Sequence, residues 1–306
     1  MAAADLALAG LALLVLAVAS EQFVTGTARV ATSFGASPIF IGAVILGAGT
    51  SLPDGLVSGI AAARGDSELA VGNVVGSNSF NIAVALGAAA LIIPVAARRS
   101  VLKREAVLSL AAVTLFYLLA LVGIGTVAGA LLLLLTVPAL WLIRGAQGVD
   151  APASPPLEVS RGREIARVSV GLVLTVVSSR LLVVSAEDLA MDFGISEAVI
   201  GFTLVAIGTS IPELAVSVQA ARRGASDLIV GNVLGSNLLN SLGVAGVAAL
   251  LSPRALELGE LADAGVLMLM LTVTATLLLA TGRRLVRSEG VALIAAYVIG
   301  STVILT

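Results

Sequence analysis

Gly49-Thr50-Ser51-Leu52-Pro53-Asp54, followed by Gly72-Asn73-Val74-Val75-Gly76-Ser77-Asn78 and then Asn81, decides the fold, because the chain contains this pattern twice. A shift of 159 residues lays Gly208-Thr209-Ser210-Ile211-Pro212-Glu213 on the first segment. The same shift lays Gly231-Asn232-Val233-Leu234-Gly235-Ser236-Asn237, with Asn240, on the second. About half of the positions from Gly35 to Gly87 are identical to their counterparts from Gly194 to Gly246. The chain is therefore a duplication, and its polar motifs sit in an apolar background.

That background sets the solvent. Of 306 residues, 58% are hydrophobic and 12% charged, about half the charge of an ordinary soluble domain. Runs such as Ala7 to Ser20, Ala106 to Ile124 and Ala264 to Ala280 approach the length of a bilayer crossing. They are continuous rather than alternating, so they read as helices, which satisfy their own backbone in lipid. The first run lacks a basic leader and follows Asp5, so it reads as a transmembrane helix rather than a signal peptide.

The pattern predicts an all-α membrane protein of ten transmembrane helices, at about 4–32, 37–63, 68–94, 102–121, 124–144, 163–192, 196–221, 227–250, 262–281 and 289–305. Residues 1–145 form a first five-helix repeat and 162–306 a second. Residues 146–161, with Pro152, Pro155 and Pro156, form a cytoplasmic linker. Five helices is an odd number, so the second copy must enter from the opposite side, giving two inverted repeats. Basic residues then gather at one set of helix ends, from Arg29 through Arg98–Arg104 and Arg222–Arg223 to Arg283–Arg287. The other ends hold only Arg64 and Arg254. This asymmetry places the N-terminus outside. One lysine against sixteen arginines hints at a GC-rich prokaryotic genome, and so at the cytoplasmic membrane of a prokaryote.

The chain has no cysteine and no histidine, which removes disulfides, thiol catalysis and the usual zinc or haem ligands. A net charge of -2 gives no footprint for nucleic acid. Any bound metal must be held by oxygen. Pro53 and Pro212 lack a backbone N–H, which frees the carbonyls of Gly49 and Gly208. Thr50, Ser51, Thr209 and Ser210 add hydroxyls, and Asp54 and Glu213 add carboxylates. Ser77 and Asn81, like Ser236 and Asn240, lie four apart and present oxygens from one helix face. Each carboxylate costs about 2.5–3.5 kcal/mol at the centre of a membrane helix, so two require a cation between them. Hard oxygen donors around two negative charges suit calcium or sodium. The glycine pairs Gly72/Gly76 and Gly231/Gly235 let helices approach closely. Asn73, Asn78, Asn232 and Asn237 either orient helices or touch ions. Glu21 and Arg180, equivalent under the shift, form a candidate pair across the pseudo-symmetry axis, against the reading that each snorkels separately.

The doubled motifs GTSLPD…GNVVGSN and GTSIPE…GNVLGSN resemble the two alpha-repeats of the cation/calcium exchanger superfamily, in particular its prokaryotic sodium/calcium exchangers. The resemblance covers nearly the whole chain. It implies antiport rather than enzyme activity, with Ca2+ and Na+ as transported substrates and no cofactor. It implies that Asp54 and Glu213 carry the ions, and that Thr50, Ser51, Thr209, Ser210, Ser77, Asn81, Ser236 and Asn240 complete the sites. Backbone carbonyls near Gly47 and Ala206 would join them. Two departures stand out: Asp54 where prokaryotic relatives usually have Glu, and Asn240 where some relatives carry Asp. The second argues against potassium cotransport. The alternative reading is a calcium/proton or other divalent cation/proton antiporter, whose usual Gly-Asn-Ala-Ala-Glu type motif is absent. An intramembrane aspartyl protease would need a Gly-x-Gly-Asp context, which is absent too. A passive channel fits inverted repeats with broken helices less well. Oligomeric state is left open, a monomer being compatible.

Overall fold

The computed structural model describes residues 2–34, 38–144, 160–192 and 197–305. Most of the expected linker therefore lies outside the described residues. Among those described, the helices are α1 (Ala2–Phe34), α2 (38–50), α3 (Leu52–Ala63), α4 (Ser67–Ile92), α5 (Arg99–Val122) and α6 (Thr126–Arg144). They continue as α7 (Arg161–Asp192), α8 (Glu197–Arg222), α9 (Ser226–Leu251), α10 (Ala262–Gly282) and α11 (Arg287–Leu305).

Local chemistry sets the ends of these helices. Gly65 takes φ +82°, a left-handed conformation that only glycine adopts freely. It lets Gly65 N–H reach the Ala62 carbonyl at 2.9 Å and Asp66 N–H the Ala61 carbonyl at 3.0 Å, which closes α3. Gly224 repeats the device at the end of α8, with bonds to Ala221 and Ala220 at 2.9 Å each. Asp66 then caps α4 by accepting from Leu69 N–H at 3.0 Å.

Seven helices are long and apolar enough to cross a membrane, and an eighth is counted when 42–50 and 52–63 form one span bent by 48°. Seven to eight of the ten expected crossings are thus found among the described residues. The expected purely helical chain also contains two small strands. Val95 pairs with Leu285 and Ala96 with Arg284 in an antiparallel ladder of two residues each. The ladder runs on as Ala97 N–H donates to the Arg283 carbonyl at 2.9 Å. Ile124 and Leu256 make a separate bridge, at 2.8 and 3.1 Å. Adding 159 to Ala97 gives Leu256, and adding it to Ile124 gives Arg283. One inter-repeat contact is therefore made twice, with the roles of the repeats exchanged.

Helix packing puts the motifs at the centre. α2 lies on α9 and α8 on α4, so each copy's first motif faces the other copy's second. Gly235 makes the α2–α9 approach possible: a Cβ there would lie 2.4 Å from Ala43 Cα and 2.7 Å from its carbonyl oxygen. α1 and α7 pack along one another outside this core, and both touch α8.

Candidate functional site

Each first-motif helix carries its carboxylate just past a proline, but the two copies solve the proline differently. In the first, a π-helical turn at Gly42–Leu46 precedes the motif, and Ser51 leaves the helix with φ -81° and ψ 3°. In the second, α8 runs unbroken through Pro212. Proline at matched positions therefore interrupts one helix and not the other. Loss of one N–H does not break a helix by itself, and the first copy breaks where a π turn has also shifted the register. The second motifs match better: π turns begin at Asn81 and at Asn240. Such turns recur at functional sites.

Asp54 and Glu213 are both 0% exposed. Asp54 Oδ1 accepts from the Ser77 hydroxyl at 2.8 Å, and Oδ2 accepts from the Asn240 amide at 3.0 Å. Ser77 Oγ also lies 3.3 Å from Thr209 Oγ1. Glu213 Oε1 accepts from the Ser51 hydroxyl at 3.2 Å. The Gly47 carbonyl accepts from Ser51 N–H at 3.0 Å, from Thr50 Oγ1 at 3.3 Å and from Ser236 Oγ at 3.4 Å. The structure therefore brings Asp54, Ser77, Asn240 and Thr209 together, and Glu213 with Ser51. It joins Gly47, Thr50 and Ser236 in a third contact. Ser210 and Asn81 are buried, and neither side chain has a hydrogen-bond partner. The side chain of Ala206, in α8, lies outside the described residues.

The two carboxylates are not equivalent. Both oxygens of Asp54 are engaged, whereas Glu213 Oε2 has no partner. Ser210 Oγ, Asn81 Oδ1 and Asn240 Oδ1 are likewise buried without one. Unpaired buried oxygens are costly, and a hard cation is the group that oxygen donors of this kind satisfy.

The sequence did not single out Ser58 and Ser217. The Asn73 amide donates to the Asp54 carbonyl at 3.2 Å and to Ser58 Oγ at 3.0 Å. The Asn232 amide donates to the Glu213 carbonyl at 3.3 Å and to Ser217 Oγ at 3.2 Å. These clamps fix the backbone that carries each carboxylate. Thr209 donates to Asn73 Oδ1 at 3.0 Å, so Asn73 is committed at both ends to orienting helices. The missed signal was identity under the shift: each serine lies four residues after its carboxylate. The pairing of Glu21 with Arg180 is corrected as well. Glu21 binds Arg223 at 3.2 Å, because α1 crosses α8 at that level.

Phe23 of α1 and Leu172 of α7 close over the first motif. A Cβ on Gly49 would lie 3.3 Å from the Phe23 ring and 3.1 Å from Leu172.

The family model for the sodium/calcium exchanger protein matches residues 5–144 and 164–306. The chain is 35% identical to the putative antiporter CaxA of Alkalimonas amylolytica over 95% of both chains. It is 28% identical to the sodium/calcium exchanger MaX1 of Methanosarcina acetivorans, covering 94% of this chain and 95% of that one. Its structure superposes on the sodium-calcium exchanger NCX_Mj, from crystals soaked with Na+ and Sr2+, with a TM-score of 0.87 at 29% identity over 99% of each chain. With matched motifs, helical architecture and both halves of the family model in agreement, the chain belongs to the sodium/calcium exchanger family, in its prokaryotic form.

Proposed function

We propose that the protein exchanges calcium for sodium across the cytoplasmic membrane of a prokaryote by alternating access, through one cage around Asp54 and Glu213. The observation that carries this reading is the crossed attachment of the two carboxylates. Each is wholly buried, and each is held by the other repeat: Asp54 by Asn240 and Glu213 by Ser51. The relatives support the coupling: MaX1 carries the name of a sodium/calcium exchanger, and crystals of NCX_Mj have been soaked with Na+, Sr2+ or Ca2+.

The proposed ligands are Asp54, Glu213, Thr50, Ser51, Thr209, Ser210, Ser77, Asn81, Ser236 and Asn240, with backbone carbonyls at Gly47 and Ala206. Hydroxyls that now donate to carboxylates rotate their protons away and present oxygen when a cation binds. Two carboxylates balance one divalent ion or are shared by several monovalent ions, so the two loads compete. Of the two carboxylates, Glu213 has the open oxygen, and the first ion lodges there. The bare cage holds two uncompensated charges in a dry interior, which opposes movement of the empty carrier.

Ten crossings in two inverted repeats, 1–145 and 162–306, with a cytoplasmic linker at 146–161 and the N-terminus outside, complete the proposal. The exchanged contacts of Ala97–Arg283 and Ile124–Leu256 support this symmetry. The α1–α7 pair is the moving element, sliding past the core with Phe23 and Leu172 bearing on the first motif at Gly49. Calcium uptake into proteoliposomes loaded with sodium, potassium or a proton gradient tests the coupling. Uptake that requires internal sodium supports the proposal. Uptake driven only by protons would replace it with cation/proton exchange.

A further inference from the structure

A second buried carboxylate lies outside the duplicated motifs. Glu105 is 2% exposed and Ser109, four residues on, is 0% exposed. Both oxygens of Glu105 and the Ser109 hydroxyl lack a hydrogen-bond partner. The pair sits at the start of α5, where Glu105 falls inside a π-helical turn, Leu102–Ala106. That turn packs against α9 and α10. Two of the nearby cations are committed elsewhere: Arg104 donates to the Leu142 carbonyl at 3.1 Å, and Arg98 binds Asp227 at 3.1 Å. The charged groups that act on Glu105 are Arg104 and Asp227, of opposite sign.

We propose that Glu105 and Ser109 form a sodium site separate from the exchange cage. A buried carboxylate that stays ionised needs an opposite charge or a coordinated cation. Protonation would remove the charge but would leave a buried O–H donor with no acceptor within bonding distance of either oxygen. A divalent ion does not fit either: a single carboxylate faces the site, and no group of three acidic residues converges among the described residues. One negative charge with a hydroxyl four residues on fits a hard monovalent cation. The site is not half of the duplicated cage. Under the 159-residue shift, Glu105 and Ser109 fall on Ala264 and Met268, whose side chains carry no oxygen.

Equilibrium binding of radioactive sodium to the purified full-length chain, against choline, tests the assignment. Glu105→Gln is expected to bind one sodium fewer per chain than the wild type while still carrying calcium. In an Asp54→Asn/Glu213→Gln background, one sodium is expected to remain and to disappear when Glu105→Gln is added. Ser109→Ala is expected to weaken that sodium roughly tenfold, the size of losing one neutral ligand. Equal sodium counts for wild type and Glu105→Gln would overturn the proposal, as they would if water or a proton filled the site.

Discussion

The Asn237 side-chain amide donates to the main-chain carbonyl of Asn78 at 3.0 Å, and the two residues are 159 positions apart. Equivalent residues of the two copies thus meet directly. The return contact is different: the Asn78 amide donates to Ser241 Oγ at 2.9 Å, a position that holds Ile82 in the first copy. The duplicated frame is therefore asymmetric at this contact. Asn237→Ala removes this buried bond between the copies and is expected to destabilise the protein by about 1–3 kcal/mol. Thermal unfolding in detergent measures this, and an unchanged midpoint would contradict the role given to the contact.

Asn240→Asp is expected to tighten cation binding. The substitution replaces a donor 3.0 Å from Asp54 Oδ2 with a second negative oxygen. The two then need a shared cation. A fall in the calcium KM by about tenfold or more, with slower turnover, is the expected result. Flux measured over a range of calcium concentrations checks it.

Asn73→Ala and Asn232→Ala are expected to impair exchange to a similar extent. Each removes the amide that holds the carbonyl of Asp54 or of Glu213. An orphaned buried acceptor costs about 1–3 kcal/mol, or roughly 10- to 100-fold in whichever step depends on its position. Because these side chains position the carboxylate backbone, Gln should rescue neither variant fully, whereas loss of flux should exceed loss of stability. Initial rates and unfolding midpoints on the same preparations separate the two effects.

Gly235→Ala forces a methyl to within 2.4 Å of Ala43 Cα, a backbone atom that cannot swing away. A loss of about 1–3 kcal/mol or more is expected. Gly10→Ala, where nothing lies within 4 Å, serves as the neutral control. Equal unfolding midpoints for the two variants would contradict the α2–α9 packing.

Glu21→Gln should change little. Its ion pair with Arg223 is half exposed on both sides, at 52% and 35%. Pairs of that kind contribute about 0–1 kcal/mol. Transport within about twofold of wild type is expected in the same uptake assay.

The sequence made the cage legible because its residues are duplicated, polar and set in apolar helices. Asp54 and Glu213 stood out by the cost of a charge in a membrane helix, and the surrounding hydroxyls by their duplication at matched positions. The asymmetry did not. Pro53 and Pro212 look alike in sequence, and only the register of the preceding turn decides which helix breaks. The clamps through Ser58 and Ser217 went unseen because a serine in an apolar helix ordinarily reads as a local backbone contact. The Val95–Leu285 ladder is too short to carry a strand pattern. The partner of Glu21 depends on where α1 crosses α8, a tertiary fact that pseudo-symmetry does not supply.

The central claim is that one cage around Asp54 and Glu213 carries both ions. Radioactive calcium uptake into sodium-loaded proteoliposomes, comparing wild type with Glu213→Gln at matched folded protein, tests it most directly. Sodium-dependent uptake in the wild type and none above background in Glu213→Gln is the expected result. Undiminished sodium-driven uptake in Glu213→Gln would mean that calcium crosses by another route, and the cage described here would not be the transport site.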